Sequence, residues 1–201
     1  MHTITLTPVT YDDCLYAAVE CLLAGGVVVI PTDTVYGLAA HPAHPEAVQR
    51  LYTIKGRQEA KPIALLAADV AAVTRFGGQL SPEATRLAAA FWPGALTLVL
   101  PCDGERTEGF RVPAHAWTRA LLAACGGVLR VTSANLSGAQ PAASAVAALQ
   151  SVGLDANLVI DDGASSGSVA STVVSVADGS PKILRAGAIA EHEIMAVILA
   201  P

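Results

Sequence analysis

Lysine is scarce in this chain: three of 201 residues, beside nine arginines and seventeen acidic side chains, for a formal net charge of −5. A general nucleic-acid coat is globally basic, so this balance argues against one. Charged residues make up 14% and aromatics 4%, while 53% of the chain is hydrophobic. Disorder requires the opposite balance and is excluded. Four cysteines (Cys14, Cys21, Cys102, Cys125) are scattered, with no Cys-x-x-Cys pair and no histidine at ligand spacing. They read as small buried hydrophobes in a reducing compartment. Long apolar runs are also missing. The longest uncharged stretch, Val131 to Leu154, holds Asn135, Gln140, Pro141 and Gln150, and such a run cannot cross ~30 Å of hydrocarbon. Asp12 and Asp13 precede the first apolar stretch, the wrong charge order for a secretory signal. The expectation is a cytoplasmic protein with no membrane partner.

What is present is an alternation of helical and extended patterns. Helix periodicity covers 12–24, 45–54, 69–76, 82–91, 115–125, 141–150 and 190–199. Ser81-Pro82-Glu83 is an N-cap, a first-turn proline and an acidic first turn. Apolar runs at 27–30, 96–100, 128–132, 158–160, 172–176 and 183–184 predict short buried strands. With no repeat, charge block or linker, the chain reads as one domain over 1–201. Its class is α/β (α+β), a twisted mixed sheet with flanking helices.

The common nucleotide and hydrolase signatures are absent: no P-loop, no G-x-G-x-x-G, no G-x-S-x-G, no H-E-x-x-H. Instead, polar clusters follow apolar segments, and in open α/β sheets ligands bind at strand ends. Thr32-Asp33-Thr34 offers two hydroxyls and a carboxylate on a turn. Such a turn can bind an amine, a hydroxyl or a phosphate, or only satisfy its own backbone. Lys55, Arg57 and Lys61 gather four of the twelve basic residues, with Arg50, into twelve positions. Cations at a helix C-terminus suit the helix dipole, and three on a short loop also make a phosphate clamp. Arg111 stands alone between apolar neighbours and must pair or face a ligand. Thr132-Ser133-Ala134-Asn135, Ser171-Thr172 and Arg185-Ala186-Gly187 supply hydroxyls, an amide and another cation. Rich in cations and poor in bases or nucleophiles, this set favours positioning and charge stabilisation of an anionic substrate. Phosphoryl or nucleotidyl transfer from a nucleoside triphosphate fits it.

Seven segments in order carry a family resemblance: PTDTVYGL, K-x-R-x-x-x-K-P, WPGALT, FRVP, TSANLSG, STVV and LRAG. Together they resemble the YrdC-type threonylcarbamoyl-adenylate synthases. The resemblance implies a YrdC-like fold with a cationic cleft and a nucleotidyltransferase using L-threonine, bicarbonate (or CO2) and ATP. Its products would be threonylcarbamoyl-AMP and pyrophosphate, with Mg2+ entering on ATP and no protein metal site. The adenylate would pass to a threonylcarbamoyl-transferase complex that modifies position 37 of tRNA, and tRNA itself is a further candidate partner. By motif match, Lys55 and Arg57 would be catalytic. Arg57, Lys61, Ser133, Asn135 and Arg185 would bind ATP, and Thr32, Thr34, Arg111 and Ser171 would hold threonine. Three positions depart from the family pattern: Ala170 replaces a common Glu, Ala186 a common Pro, and Leu66 a His found in some members. With little chain after Gly187, the short single-domain form is expected.

Two alternatives share the fold. A YciO-like paralogue would depart at K-x-R and S-A-N, both intact here. An RNA-binding module would use the same cleft on a phosphate backbone, against which the net charge speaks.

Overall fold

The computed structural model describes residues 2–56, 62–104, 106–152, 155–167 and 169–199. Arg57 and Lys61, two expected ATP contacts, lie outside the described residues. Among the described residues ten strands form one sheet: β1 (His2–Thr5), β2 (Val28–Ile30), β3 (Gly37–Ala40), β4 (Leu65–Ala67), β5 (Leu96–Cys102), β6 (Arg106–Arg111), β7 (Val128–Ser133), β8 (Leu158–Asp161), β9 (Thr172–Ser175) and β10 (Lys182–Arg185). Their spatial order is β1-β8-β2-β3-β7-β4-β6-β5-β9-β10. Parallel pairs (β1/β8, β2/β8, β4/β6, β5/β9) and antiparallel pairs are interspersed, so the sheet is mixed as expected.

Seven helices flank it among the described residues: α1 (Tyr11–Leu23), α2 (Pro45–Lys55), α3 (Val70–Arg75), α4 (Pro82–Phe91), α5 (Ala116–Ala124), α6 (Ala145–Ser151) and α7 (Glu191–Leu199). Ser81 caps α4 as its sequence implies, its hydroxyl accepting from Ala84 N at 3.2 Å. The helix expected from 141 begins at Ala145, because Ser144 takes the cap position and accepts from Ala147 N. Four strands fall outside the apolar runs read from the sequence: β1, β3, β4 and β6. Gly37-Leu38-Ala39-Ala40 has little β propensity, yet it lies between β2 and β7 and is held by ladders on both sides.

Strand alternation divides the apolar side chains between two cores. In β2, Val28 and Ile30 join the larger core with α1, α3, α4, α5 and α7. Val27 and Val29 join the smaller one with α2 and α6. Along β5, Leu96, Leu98 and Leu100 point into the larger core, and Phe110 of β6 does the same. The alternate positions, Thr97 and Val99 with Thr107, Gly109 and Arg111, face the opposite side. There α2 and α6 leave part of the sheet uncovered, and the cavity forms on it.

Candidate active site

A cavity of about 410 Å³ opens over β3, β4, β5, β6, β7, β9 and β10. Most of the chemistry on its wall was expected from sequence: Thr32, Thr34, Arg111, Ser133, Ser171 and Arg185 all line it. They arrive from five separate segments because each sits on a strand facing the open side, or at a strand's end. None of its described lining residues is a carboxylate, and Arg111 and Arg185 are the charged ones. The lining therefore suits an anionic ligand.

Arg111 is 6% exposed, and each of its three guanidinium nitrogens has a partner. Its Nε donates to Gly94 O at 2.9 Å, Nη1 to Thr34 Oγ1 at 2.8 Å and Nη2 to Asp33 Oδ1 at 2.6 Å. Burial pushes the guanidinium below its ordinary value, and the Asp33 carboxylate opposes that shift. The lone arginine of the sequence thus resolves into a buried ion pair with Asp33 that still presents the guanidinium to the cavity. In the sequence Asp33 reads only as part of a turn. Nothing in its spacing from Arg111 marks it as the partner, 78 positions away.

The hydroxyls beside Arg111 can be assigned by counting protons. Thr32 Oγ1 donates to Val35 O at 2.6 Å and accepts from the backbone N–H of Thr34 and Val35. Its single proton is spent, so Thr34 must be the donor in their 3.1 Å contact or toward a ligand. Thr32 shapes the turn, and Thr34 is the group that remains available.

At the far side, Arg185 clasps Ser171. Its Nη2 donates to Ser171 O at 2.7 Å and to Ser171 Oγ at 3.2 Å, and Nε donates to the same carbonyl at 3.3 Å. Gly187 allows this approach, since a Cβ there would fall 2.4 Å from Ser171 C. Alanine at 170 and 186 does not prevent the clasp.

Lys55 and Asn135 stand behind the wall rather than on it. Lys55 is 3% exposed, and its ammonium donates to Ser133 O at 2.5 Å, Asn135 O at 2.6 Å and Ser133 Oγ at 3.3 Å. Ser137 N donates back to Lys55 O at 2.9 Å. The end of α2, closed by Gly56 at φ 57°, is thereby bolted to the loop carrying Ser133. Asn135 Nδ2 donates to Leu136 O and Ala139 O, while its buried Oδ1 has no donor among the described residues.

The floor of the cavity is tied to the sheet through Tyr36, whose hydroxyl donates to Gly163 O at 2.7 Å and accepts from Asp162 N at 3.0 Å. Burial raises this phenol to about 12. Above pH ~10 the unfolded chain ionises while the folded one stays protonated. Stability is thus fully present below the unfolded value and is lost as pH rises toward about 12, by about 2–3 kcal/mol. Tyr36→Phe should cost about 1–3 kcal/mol near neutrality by orphaning two backbone groups. The gap to wild type should then close at high pH. Melting curves at pH 8 and 11 test this, and a gap that stays constant would contradict it.

A mixed α/β sheet with one open, cationic, hydroxyl-lined face is the architecture of a small-molecule site suited to an anionic ligand. The Sua5_yciO_yrdC family model, described as telomere recombination, matches residues 20–187, and the chain belongs to that family. It is 36% identical over 201 aligned residues to a Bacillus subtilis protein named threonylcarbamoyl-AMP synthase, covering 94% of this chain and 58% of that one. A Halorhodospira halophila protein of the same name is 41% identical over 138 residues, 64% of this chain and 72% of its own length. Among solved structures, P. abyssi Sua5 complexed with L-threonine superposes with a TM-score of 0.90 at 30% identity, over 99% of this chain and 61% of that one. E. coli YciO gives 0.82 at 25% identity, over 94% and 96%. The chain thus spans about three fifths of the length of the Bacillus and P. abyssi relatives. Among the described residues no helix is long and apolar enough to cross a membrane.

Proposed function

We propose that this chain forms threonylcarbamoyl-AMP and pyrophosphate from L-threonine, bicarbonate or CO2, and ATP. The observation that carries the reading is the pairing of Arg111 and Arg185 across one cavity whose other polar groups are hydroxyls. Arg111 and Thr34 would hold the amino acid, with Ser171 across the cavity. Arg185 and Ser133 would meet the nucleotide, with Arg57 and Lys61 as further contacts from the K-x-R-x-x-x-K-P segment.

The chemistry follows from charge. N-carboxylated threonine is already an anion, so its attack on the α-phosphorus needs no general base at that step. A carboxylate oxygen forms the new P–O bond as the bond to the leaving pyrophosphate breaks. The obstacle is repulsion between two anions, and fixed guanidiniums and hydroxyls offset it without reorganisation. Mg2+ would enter as part of the ATP substrate, its charge adding to that of the guanidiniums. A site that hydrogen-bonds the threonine hydroxyl would reject analogues lacking it, because its polar groups would be left unpaired. Transfer of the threonylcarbamoyl group from the adenylate to tRNA by a separate complex, with AMP as the leaving group, in the cytoplasm, completes the proposed role. A second reading, a YciO-like protein without this activity, is favoured by the near-complete mutual coverage with E. coli YciO.

Pyrophosphate release separates them. Purified protein with ATP, bicarbonate and L-threonine should release pyrophosphate at a rate that falls at least about tenfold with alanine in place of threonine. No release with threonine sinks the synthase reading. Salt-sensitive tRNA binding without turnover would replace it with the RNA module.

A further inference from the structure

Thr97 ends the WPGALT segment, and no role in the site falls to it from the motifs. It lies on β5 at 6% exposure and, unlike Leu96 and Leu98, faces the cavity. Its Oγ1 lies 2.8 Å from Ser171 Oγ. Ser171 precedes β9, which runs parallel to β5 with Leu96 opposite Thr172 and Thr97 opposite Val173. The register of that pair brings the two hydroxyls together.

We infer that Thr97 is a positioning residue that fixes the orientation of the Ser171 hydroxyl and, through it, the clasp with Arg185. Ser171 Oγ already accepts from Arg185 Nη2. If Thr97 donates to it as well, both acceptor directions of Ser171 are occupied and its single proton is directed elsewhere. In the reverse case Ser171 donates to Thr97, and the proton left over belongs to Thr97. Either way the linked pair has one uncommitted proton, held on the cavity wall. Without the Thr97 hydroxyl, Ser171 keeps only the 3.2 Å contact from Arg185 and regains its other staggered rotamers. The inference rests on the functional reading above: Ser171 is placed on the amino-acid side and Arg185 on the nucleotide side, so one hydroxyl bond would serve both substrates.

Thr97→Val keeps the branched shape on β5 and removes the hydroxyl, and Thr97→Ser restores it. In Thr97→Val the KM for L-threonine should rise about five- to tenfold, the size of one lost neutral hydrogen bond plus freed rotation. The KM for ATP should rise less, kcat should change little, and Thr97→Ser should return both toward wild type. The Arg185 Nε–H resonance, recorded on protein without substrate, should shift or broaden in Thr97→Val and not in Thr97→Ser. Unchanged KM values with an unchanged Arg185 resonance overturn the inference, as does a defect that Thr97→Ser fails to rescue. If wild type releases no pyrophosphate, the functional reading fails and the resonance alone decides. A change confined to Thr97→Val then upholds the positioning role, and no change overturns it.

Discussion

Arg111→Met should lower threonine-dependent turnover by about 100-fold or more and remove about 3–5 kcal/mol of stability. The two losses have different origins. Turnover depends on a guanidinium that lines the cavity while Gly94 O, Thr34 Oγ1 and Asp33 Oδ1 hold it in place. Stability depends on what remains after it is gone. Asp33, with its side chain 12% exposed, would be a carboxylate without its counter-charge. Breaking one partner of a buried pair is costly for that reason, whereas removing both is often tolerated. The double variant Arg111→Met/Asp33→Asn should therefore recover most of the lost stability and none of the turnover. A double-mutant cycle read by chemical denaturation tests this. Equal instability in the single and double variants would mean that the pair is not what Arg111 contributes to the fold. Arg111→Lys should resemble methionine in activity, since a point charge cannot satisfy three acceptors spread along a planar fork.

The same pair illustrates how much could be read in advance. An arginine flanked by Phe110 and Val112 was bound to have a partner, because an unpaired buried charge is expensive. Which partner was a matter of tertiary geometry. Thr32, Thr34, Ser133, Ser171 and Arg185 were legible as site residues because each falls in a motif at a strand end, and strand ends share one side of a sheet. Thr97 and Asp33 were not, since their roles depend on the β5–β9 register and on how the 31–36 turn approaches β6. The fold shows the same division. Val27–Ile30, Leu96–Leu100 and Val128–Thr132 announce strands by composition alone. Gly37–Ala40 and Leu65–Ala67 are strands by virtue of their neighbours: β3 between β2 and β7, β4 between β7 and β6. Alanine, glycine and leucine carry little preference of their own for an extended chain, and ladder bonding on both sides decides.

Lys55 is where charge counting and geometry differ most in what they predict. The sequence groups Lys55 with Arg57 and Lys61 as a phosphate clamp, from which Lys55→Met should reduce kcat and leave the fold intact. The structure aims the ammonium at Ser133 O, Ser133 Oγ and Asn135 O, behind the cavity wall. Hydrogen bonds from a charged donor each contribute about 1.5–3 kcal/mol, and buried carbonyls that lose one are left unsatisfied. On this geometry Lys55→Met should lower stability by about 2–4 kcal/mol and raise the KM for ATP by about 30-fold or more as Ser133 loses its anchor. The kcat at saturating ATP should fall much less than the ratio kcat/KM. Lys55→Arg should not rescue, because a planar five-donor fork cannot replace a compact ammonium among three converging oxygens. Steady-state kinetics beside thermal melts distinguish the two accounts. A collapse of kcat with unchanged stability and unchanged KM would return Lys55 to direct contact with the reacting phosphates. A joint loss of stability and ATP affinity would make it the residue that holds Ser133 where a nucleotide can use it.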